Sequence, residues 1–533
     1  MAAVLHRLTD TGRAHPRLAA LLLGLLSATG FQPLGLWPIA LLAMAGFVAL
    51  LSTSTGWRRA LALGWIFGWA HFTLGNNWIA TAFTYQANMP AILGWAAVPL
   101  LAVYLAVYPA IAAAGAAALA RGERRWSLVL AFAGCWIVAE WLRSWVFTGY
   151  SWNPFGMVLL GDFGRPGLAM IAPWMGTYAL SGVAVLLSGA LWMLAHERRW
   201  LFAGAGAAAV TLAMLAPPIG SAEEGVQDFL LVQPDIRQEV LNDPAMFESN
   251  FIRTAELTRS GKSVAEGRER LVLWPESGVP DYLREGYPQR YYTQMTARGD
   301  PLYARRRIGQ LIGNNSTLLT GTVDLEIENG RAAGARNTVT AITGQGDLVG
   351  SYAKAHLVPY GEYLPLRPVL EPLGLSRLVP GAIDFWPGPG AATLDLGEGR
   401  RTGVQICYEI IFSGQVADAG DRPDFIFNPS NDGWFGAFGP PQHLAQARMR
   451  AVEEGLPVLR ATTTGISAVI DARGVVRDYL PMHRAGIMEG RIPPAAAPTL
   501  FARLGNFLPL GWAWLFILLA LIAMRRAKHT TIS

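Results

Sequence analysis

Three residues of this chain pair a nucleophile, a base and a cation with similar local settings: Cys407, Glu276 and Lys354. Each follows a run that reads as a strand, LVLWP before Glu276, GSYA before Lys354 and GVQI before Cys407. A thiol becomes a nucleophile when a base takes its proton and a nearby cation favours the thiolate. Three strand ends along one sheet edge would present these groups together. Singly, each has an ordinary reading: an inert buried cysteine, a solvated loop carboxylate, a chance surface lysine. Residue usage sharpens the set. Of 43 lysines and arginines only Lys262, Lys354 and Lys528 are lysine, so a lysine inside the fold suggests a task for a compact ammonium, such as stabilising an oxyanion or exchanging a proton. The other cysteine, Cys135, lies in an apolar run, where a thiol behaves as a small hydrophobe. No Ser/His/Asp set has comparable contexts. His356 and His443 lack a partner motif and read as structural. No Cys/His spacing suits zinc and no glycine-rich phosphate loop stands out, so neither a metal nor a cofactor is expected.

The elements that must position these residues lie between 221 and 503, where nearly all the charge falls. Strands are expected at 228–233, 270–274, 316–323, 337–342, 348–352, 403–407, 424–428 and 467–471, with turns at 344–347 and 472–474. Helical patterns fall at about 244–259, 288–312 and 442–455. Strands alternating with helices and interrupted by hairpins predict a layered α/β sandwich.

The rest of the chain is of another kind. The full sequence is 52% hydrophobic with 15% charged residues and 19 Trp, against about 25% charged in a typical soluble domain. Apolar runs at 18–33, 37–54, 60–80, 90–119, 126–144, 167–195, 200–217 and 506–524 predict eight membrane spans. Arg7, Arg13 and Arg17 precede the first; Arg58 and Arg59 follow the second; Arg121, Arg124 and Arg125 follow the fourth; Arg198 and Arg199 follow the sixth. The alternate loops carry only Arg143 and Arg165, and Arg525, Arg526 and Lys528 follow the last span. The positive-inside rule therefore puts both termini in the cytoplasm and the charged region outside. The expected domains are 1–220, a seven-helix bundle; 221–503, catalytic; and 504–533, a last helix with a short tail. A net charge of +5, spread over span ends, is no nucleic-acid footprint. Two cysteines leave no disulfide framework.

The motifs WPE at 274–276, YAKAHLVPYGEYLP at 352–365 and CYE at 407–409 resemble the Glu-Lys-Cys signature of the nitrilase superfamily. With SNDGWFG at 430–436, the stretch 441–471, GYSWNPFG at 149–156 and the spans, the whole chain resembles the membrane-anchored apolipoprotein N-acyltransferase family. The resemblance implies an α/β/β/α nitrilase-like domain on the periplasmic face of a bacterial inner membrane. It implies that Cys407 takes the sn-1 acyl chain of a phospholipid, typically phosphatidylethanolamine, as a thioester. The chain then passes to the α-amine of a diacylglyceryl-cysteine apolipoprotein. Glu276 would be the general base and Lys354 the oxyanion stabiliser. Glu362 matches a second glutamate near the site, and Tyr408, Glu409 and Trp434 match pocket positions, with Trp434 on a loop that gates lipid entry. After VQPDIRQ at 232–238, many members carry Lys-Trp where this chain has Leu241-Asn242, a departure that bears on fine specificity and leaves the triad untouched.

The residues alone leave two alternatives. A membrane-tethered nitrilase-type amidohydrolase would resolve the same thioester with water. A transporter or receptor with an external sensor domain would carry ionisable residues through its spans, where His71 and Glu140 form no translocation pattern.

Overall fold

The computed structural model describes residues 14–85, 92–120, 125–218, 220, 223–263, 267–373, 383–397 and 399–530. Arg7, Arg13, Arg121 and Arg124, used above to orient the spans, lie outside these residues, as do 374–382. The chain forms two compact units, one of Met1–Ala80, Ile92–Pro218 and Pro498–Ser533, the other of Thr81–Ala91 and Ile219–Ala497.

In the first unit every apolar run holds a helix: Pro16–Ala28, Trp37–Ser52, Trp57–Gly75, Ile92–Leu105 with Val107–Leu119, Arg125–Arg143, Gly176–His196, Trp200–Leu215 and Phe507–Thr530. Among the described residues, four stretches are long and apolar enough to cross a membrane: Ile92–Leu119, Arg125–Arg143, Gly176–His196 and Phe507–Arg525. Pro16–Ala28, Trp37–Ser52 and Trp200–Leu215 are shorter apolar helices. Small residues let the helices close on one another. A Cβ on Gly64 would meet Pro109 O at 2.6 Å, and one on Gly134 would meet Ala513 O at 2.8 Å.

The expected run 167–195 begins as a helix only at Gly176. Leu168–Trp174 is a 3₁₀ segment containing Pro173, whose missing N–H cannot continue a helical ladder, and Gly176 turns the chain at φ +78°. The buried polar side chains of this unit have local work. Glu140 Oε1 accepts from Trp136 Nε1 at 2.9 Å and from Phe155 N at 2.7 Å. Arg143 Nη1 donates at 2.8 Å to Tyr150 O and to Trp152 O, so one helix end fixes the backbone of GYSWNPFG. His71 Nδ1 is 2.7 Å from Ser27 Oγ.

The second unit is built on two six-stranded sheets. The first contains β1 (Asp228–Gln233), β2 (Arg270–Leu273), β3 (Ser316–Glu328), β4 (Arg331–Thr343), β5 (Leu348–Ala353) and β12 (Gly486–Arg491), ordered β12-β1-β2-β3-β4-β5. The second contains β6 (Thr393–Leu394), β7 (Thr402–Val404), β8 (Phe425–Ser430), β9 (Val458–Thr462), β10 (Ser467–Ile470) and β11 (Val476–Leu480), ordered β11-β10-β9-β8-β7-β6. Each has three parallel strands at its centre, β1-β2-β3 and β7-β8-β9, with antiparallel flanks. β8 and β9 are buried throughout and β2 at all but Arg270, as strands covered on both faces must be.

Helices Phe247–Arg259 and Pro301–Ile312 pack Phe251, Ala255, Ala304, Ile308 and Ile312 onto Leu230, Val272, Leu318 and Ile342 of the first sheet. Gly439–Glu454 covers the second. The sheets meet through Gln233 Oε1, which accepts from Thr462 Oγ1 at 2.9 Å and Ser467 Oγ at 2.5 Å. The result is helix, sheet, sheet, helix.

Candidate active site

The site forms where strands of both sheets end. Glu276 follows β2, Lys354 follows β5, Cys407 follows β7 and Asn431 follows β8. Carboxyl ends of parallel strands are where an α/β fold leaves room for chemistry. Local geometry aims each group. At Gly321 on β3 a Cβ would meet Ser277 N at 2.5 Å and Glu276 Cα at 2.7 Å, so only glycine lets β3 press against the Glu276 turn. β7 stops at Val404, three residues earlier than 403–407 predicts, because Cys407 opens a 3₁₀ turn, Cys407–Ile411, with φ +51°. A left-handed non-glycine residue costs about 1–3 kcal/mol and persists only where its surroundings over-determine it.

Glu276, Lys354 and Glu362 are brought into direct contact. Lys354 Nζ, 1% exposed, is 3.0 Å from Glu362 Oε1 and 3.6 Å from Glu276 Oε1. Asn337 of β4 donates through Nδ2 to both carboxylates, at 2.8 Å to Glu276 Oε1 and 3.0 Å to Glu362 Oε1. The second oxygens are also fixed. Asn431 N donates to Glu276 Oε2 at 2.8 Å, and Val358 N to Glu362 Oε2 at 2.8 Å. Burial opposes the charge of Lys354, but Glu362 and then Glu276 outweigh it and hold its pKa above that of an ordinary lysine.

Cys407 is buried in the same field. Desolvation first, and then the Glu276 charge, push its thiol well above the usual range, against the pull of Lys354 and the Asn431 backbone N–H. The resting thiol is therefore neutral, and a thiolate must be made as it reacts.

Glu409 is a clamp. Its Oε1 accepts from Tyr352 OH at 2.8 Å, Ala355 N at 2.7 Å and His356 N at 3.2 Å, and its Oε2 from Ile406 N at 2.8 Å. It ties the turn after Lys354 to the turn of Cys407. Burial raises its pKa to about 7 despite these donors. Tyr408 is buried edge-on against Phe412, whose ring also stacks on His356 at 4.3 Å. Trp434 is half-buried and meets Tyr85 edge to face at 5.6 Å. Leu241 and Asn242 end the short helix whose Gln238 Oε1 accepts from Asn431 Nδ2 at 2.8 Å.

Two parts of the site are invisible to motif reading. Asn337 sits in the strand sequence NTVTAIT, where one polar residue in a β run carries no signal until the sheet is assembled. His443, read as lacking a partner, lies 3.0 Å from Asp432 Oδ1 through Nδ1 and 3.0 Å from Cys407 O through Nε2. Its partners are distant in sequence. Among the described residues, no group of three or more His, Cys, Asp or Glu side chains is arranged as a metal site.

Comparison with known proteins places both parts of the chain. Residues 23–190 match the model of the apolipoprotein N-acyltransferase N-terminal domain, and residues 231–497 match the carbon-nitrogen hydrolase model. An apolipoprotein N-acyltransferase of Rhodopseudomonas palustris is 32% identical over 91% of each chain. One of Bradyrhizobium diazoefficiens is 33% identical over 96% of this chain and 94% of its own. One of Vibrio cholerae is 28% identical over 96% and 98%. Among solved structures, Saccharomyces cerevisiae Nit3, a nitrilase-superfamily member, matches 50% of this chain and 90% of its own at 20% identity, with a TM-score of 0.36.

Proposed function

The chain belongs to the apolipoprotein N-acyltransferase family, and from that premise we propose a two-step acyl transfer from phospholipid to lipoprotein through Cys407. Glu276 takes the Cys407 proton as sulfur attacks the sn-1 ester carbonyl of a phospholipid. The tetrahedral oxyanion is met by the Lys354 ammonium. The intermediate collapses to a thioester as Glu276 returns the proton to the departing lysophospholipid oxygen. In the second step the α-amine of a diacylglyceryl-cysteine terminus attacks the thioester, Glu276 takes the amine proton, and Cys407 leaves as thiolate and is reprotonated. Splitting one transfer into two lets two lipid-bound substrates use one nucleophile in turn.

The observation that carries this reading is the buried ammonium of Lys354 between Glu276 and Glu362. A fixed cation there costs no reorganisation when the oxyanion forms. Glu362 orients Lys354, Glu409 joins the two turns, and Tyr408 and Trp434 line the acyl path. Phosphatidylethanolamine is the donor we favour. Eight spans, cytoplasmic termini and a periplasmic catalytic domain in the inner membrane complete the reading, supported by the arginine placement.

The test is intact mass after incubation with phospholipid. A fatty-acyl gain on Cys407, removed by neutral hydroxylamine and discharged onto a diacylglyceryl-cysteine peptide, is the expected result. Cys407→Ser, Glu276→Gln and Lys354→Ala should each lower acylation by at least ~10³-fold. Absence of an adduct together with release of free acid from small amides would replace transfer by hydrolysis.

A further inference from the structure

Cys407 holds its left-handed backbone against strain, and the hydrogen bonds on either side of it are unequal in origin. Ahead of it, Ile406 N is held by Glu409. Behind it, the Cys407 carbonyl meets His443 Nε2 at 3.0 Å, from the helix Gly439–Glu454. A carbonyl oxygen can only accept, so Nε2 must carry the hydrogen in that contact.

The other ring nitrogen is equally constrained. Nδ1 lies 3.0 Å from Asp432 Oδ1 and 3.0 Å from Arg460 Nη2. Arg460 Nη2 is 2.7 Å from both oxygens of Asp432, and its Nη1 reaches Ser430 Oγ at 2.9 Å and also Asn428 Oδ1. All three side chains are essentially inaccessible to solvent. Burial and the Arg460 charge favour neutral imidazole, and an arginine, having no acceptor, can only donate to Nδ1. The Cys407 carbonyl and Arg460 contacts select the Nε2–H form, in which Nδ1 accepts from Arg460 and Asp432 acts on the ring by holding that guanidinium.

The cluster also reaches the base. Asp432 follows Asn431, whose N–H donates to Glu276 Oε2 at 2.8 Å. A Cβ on Gly465 would meet Asp432 Oδ2 at 2.3 Å, so only a glycine in the loop after β9 leaves room for the Asp432 carboxylate. One buried group of ions thus holds the peptide behind the nucleophile and the peptide that fixes the general base.

We infer that His443 is a positioning residue for acylation: its Nε2–H, with Nδ1 seated on the Arg460 guanidinium that Asp432 holds, fixes the Cys407 carbonyl and thereby keeps the sulfur in register with Glu276 and Lys354. His443 does not touch the substrate. The inference rests on Cys407 being the nucleophile.

The full chain, reconstituted with phospholipid in a Cys135→Ala background, tests it. His443→Leu removes the donor, whereas His443→Gln offers an amide N–H near the Nε2 position. Leu should slow single-turnover formation of the hydroxylamine-labile adduct, and alkylation of Cys407 by iodoacetamide, by roughly ten- to a hundredfold, with donor KM held within about threefold. Gln should recover most of both rates. Wild-type rates in Leu, or equal losses in Leu and Gln, overturn the inference. If Leu does not fold, ¹⁵N-histidine NMR of the wild-type chain decides: an unprotonated Nε2 at His443 sinks it, and a protonated one supports it. If the wild-type chain forms no thioester while alkylation keeps the Leu–Gln difference, the transfer reading fails and the positioning role stands.

Discussion

Glu362 Oε1 lies 3.0 Å from Lys354 Nζ, nearer than Glu276 Oε1 at 3.6 Å. The closer carboxylate holds the cation, and the proposed mechanism leaves Glu276 to exchange protons with sulfur. Glu362→Gln keeps the shape and removes the charge. It should slow thioester formation by roughly 10- to 10³-fold with little change in donor KM. Mass-resolved single turnovers check this, and a wild-type rate would reduce Glu362 to a packing role.

Lys354→Arg keeps the charge in a site that is 1% exposed. A planar guanidinium is wider than an ammonium and fixed in its fork, so acylation should fall by at least ~10²-fold with the protein still folded. Substantial activity in this variant would show that charge alone suffices.

Glu409 gives a pH prediction. Its folded-state pKa, raised by burial to about 7 from the ordinary 4.5 of a glutamate, means the native state keeps a proton that the unfolded chain has released. The contribution is fully present below about pH 4.5 and is lost as pH rises to about 7. Melting of the wild-type chain should therefore show a declining component across that window. Glu409→Gln should lack that component and melt lower overall, since its amide would face Ile406 N donor to donor. A wild-type profile identical in slope to that of Glu409→Gln would refute the assignment.

Gly321→Ala tests the route from fold to base. The added Cβ would sit 2.5 Å from Ser277 N and 2.7 Å from Glu276 Cα, both backbone atoms. It should cost acylation more than tenfold while leaving iodoacetamide access to Cys407 near wild type. Equal loss of both would mean a general disturbance of the second unit.

Much of this was legible in the sequence, for identifiable reasons. β1 falls at its expected bounds because DFLLVQ is an unbroken apolar strand run, and the β4–β5 and β10–β11 turns carry glycine signals at 344–347 and 472–474. β6, β9, β11 and β12 escaped. β9 carries Arg460 at its centre, a charge that reads as surface until Asp432 is brought to it. β11 exposes Arg477, Asp478 and Tyr479, and β12 begins and nearly ends on glycine. Glu276, Lys354 and Cys407 can be singled out from sequence because each follows a strand run, and the structure puts each after a strand. Asn337 carries no local signal, and Asp432 and His443, though inside the stretches 430–436 and 441–471, meet partners on other strands and turns that sequence spacing does not reveal.

The scarcity of lysine acquires another meaning once a thioester is drawn at Cys407. Such an intermediate is an acylating reagent for any free amine, and the nearest side-chain amine is the enzyme's own Lys354. Glu362 and Glu276 keep that nitrogen protonated, and an ammonium has no lone pair with which to attack. Lys262 is tied through its carbonyl to Arg270, at the opposite end of β2 from Glu276. The carboxylates that equip the site to form the acyl-enzyme thus also keep it from being spent on the protein itself, so that the intermediate waits for an amine from outside.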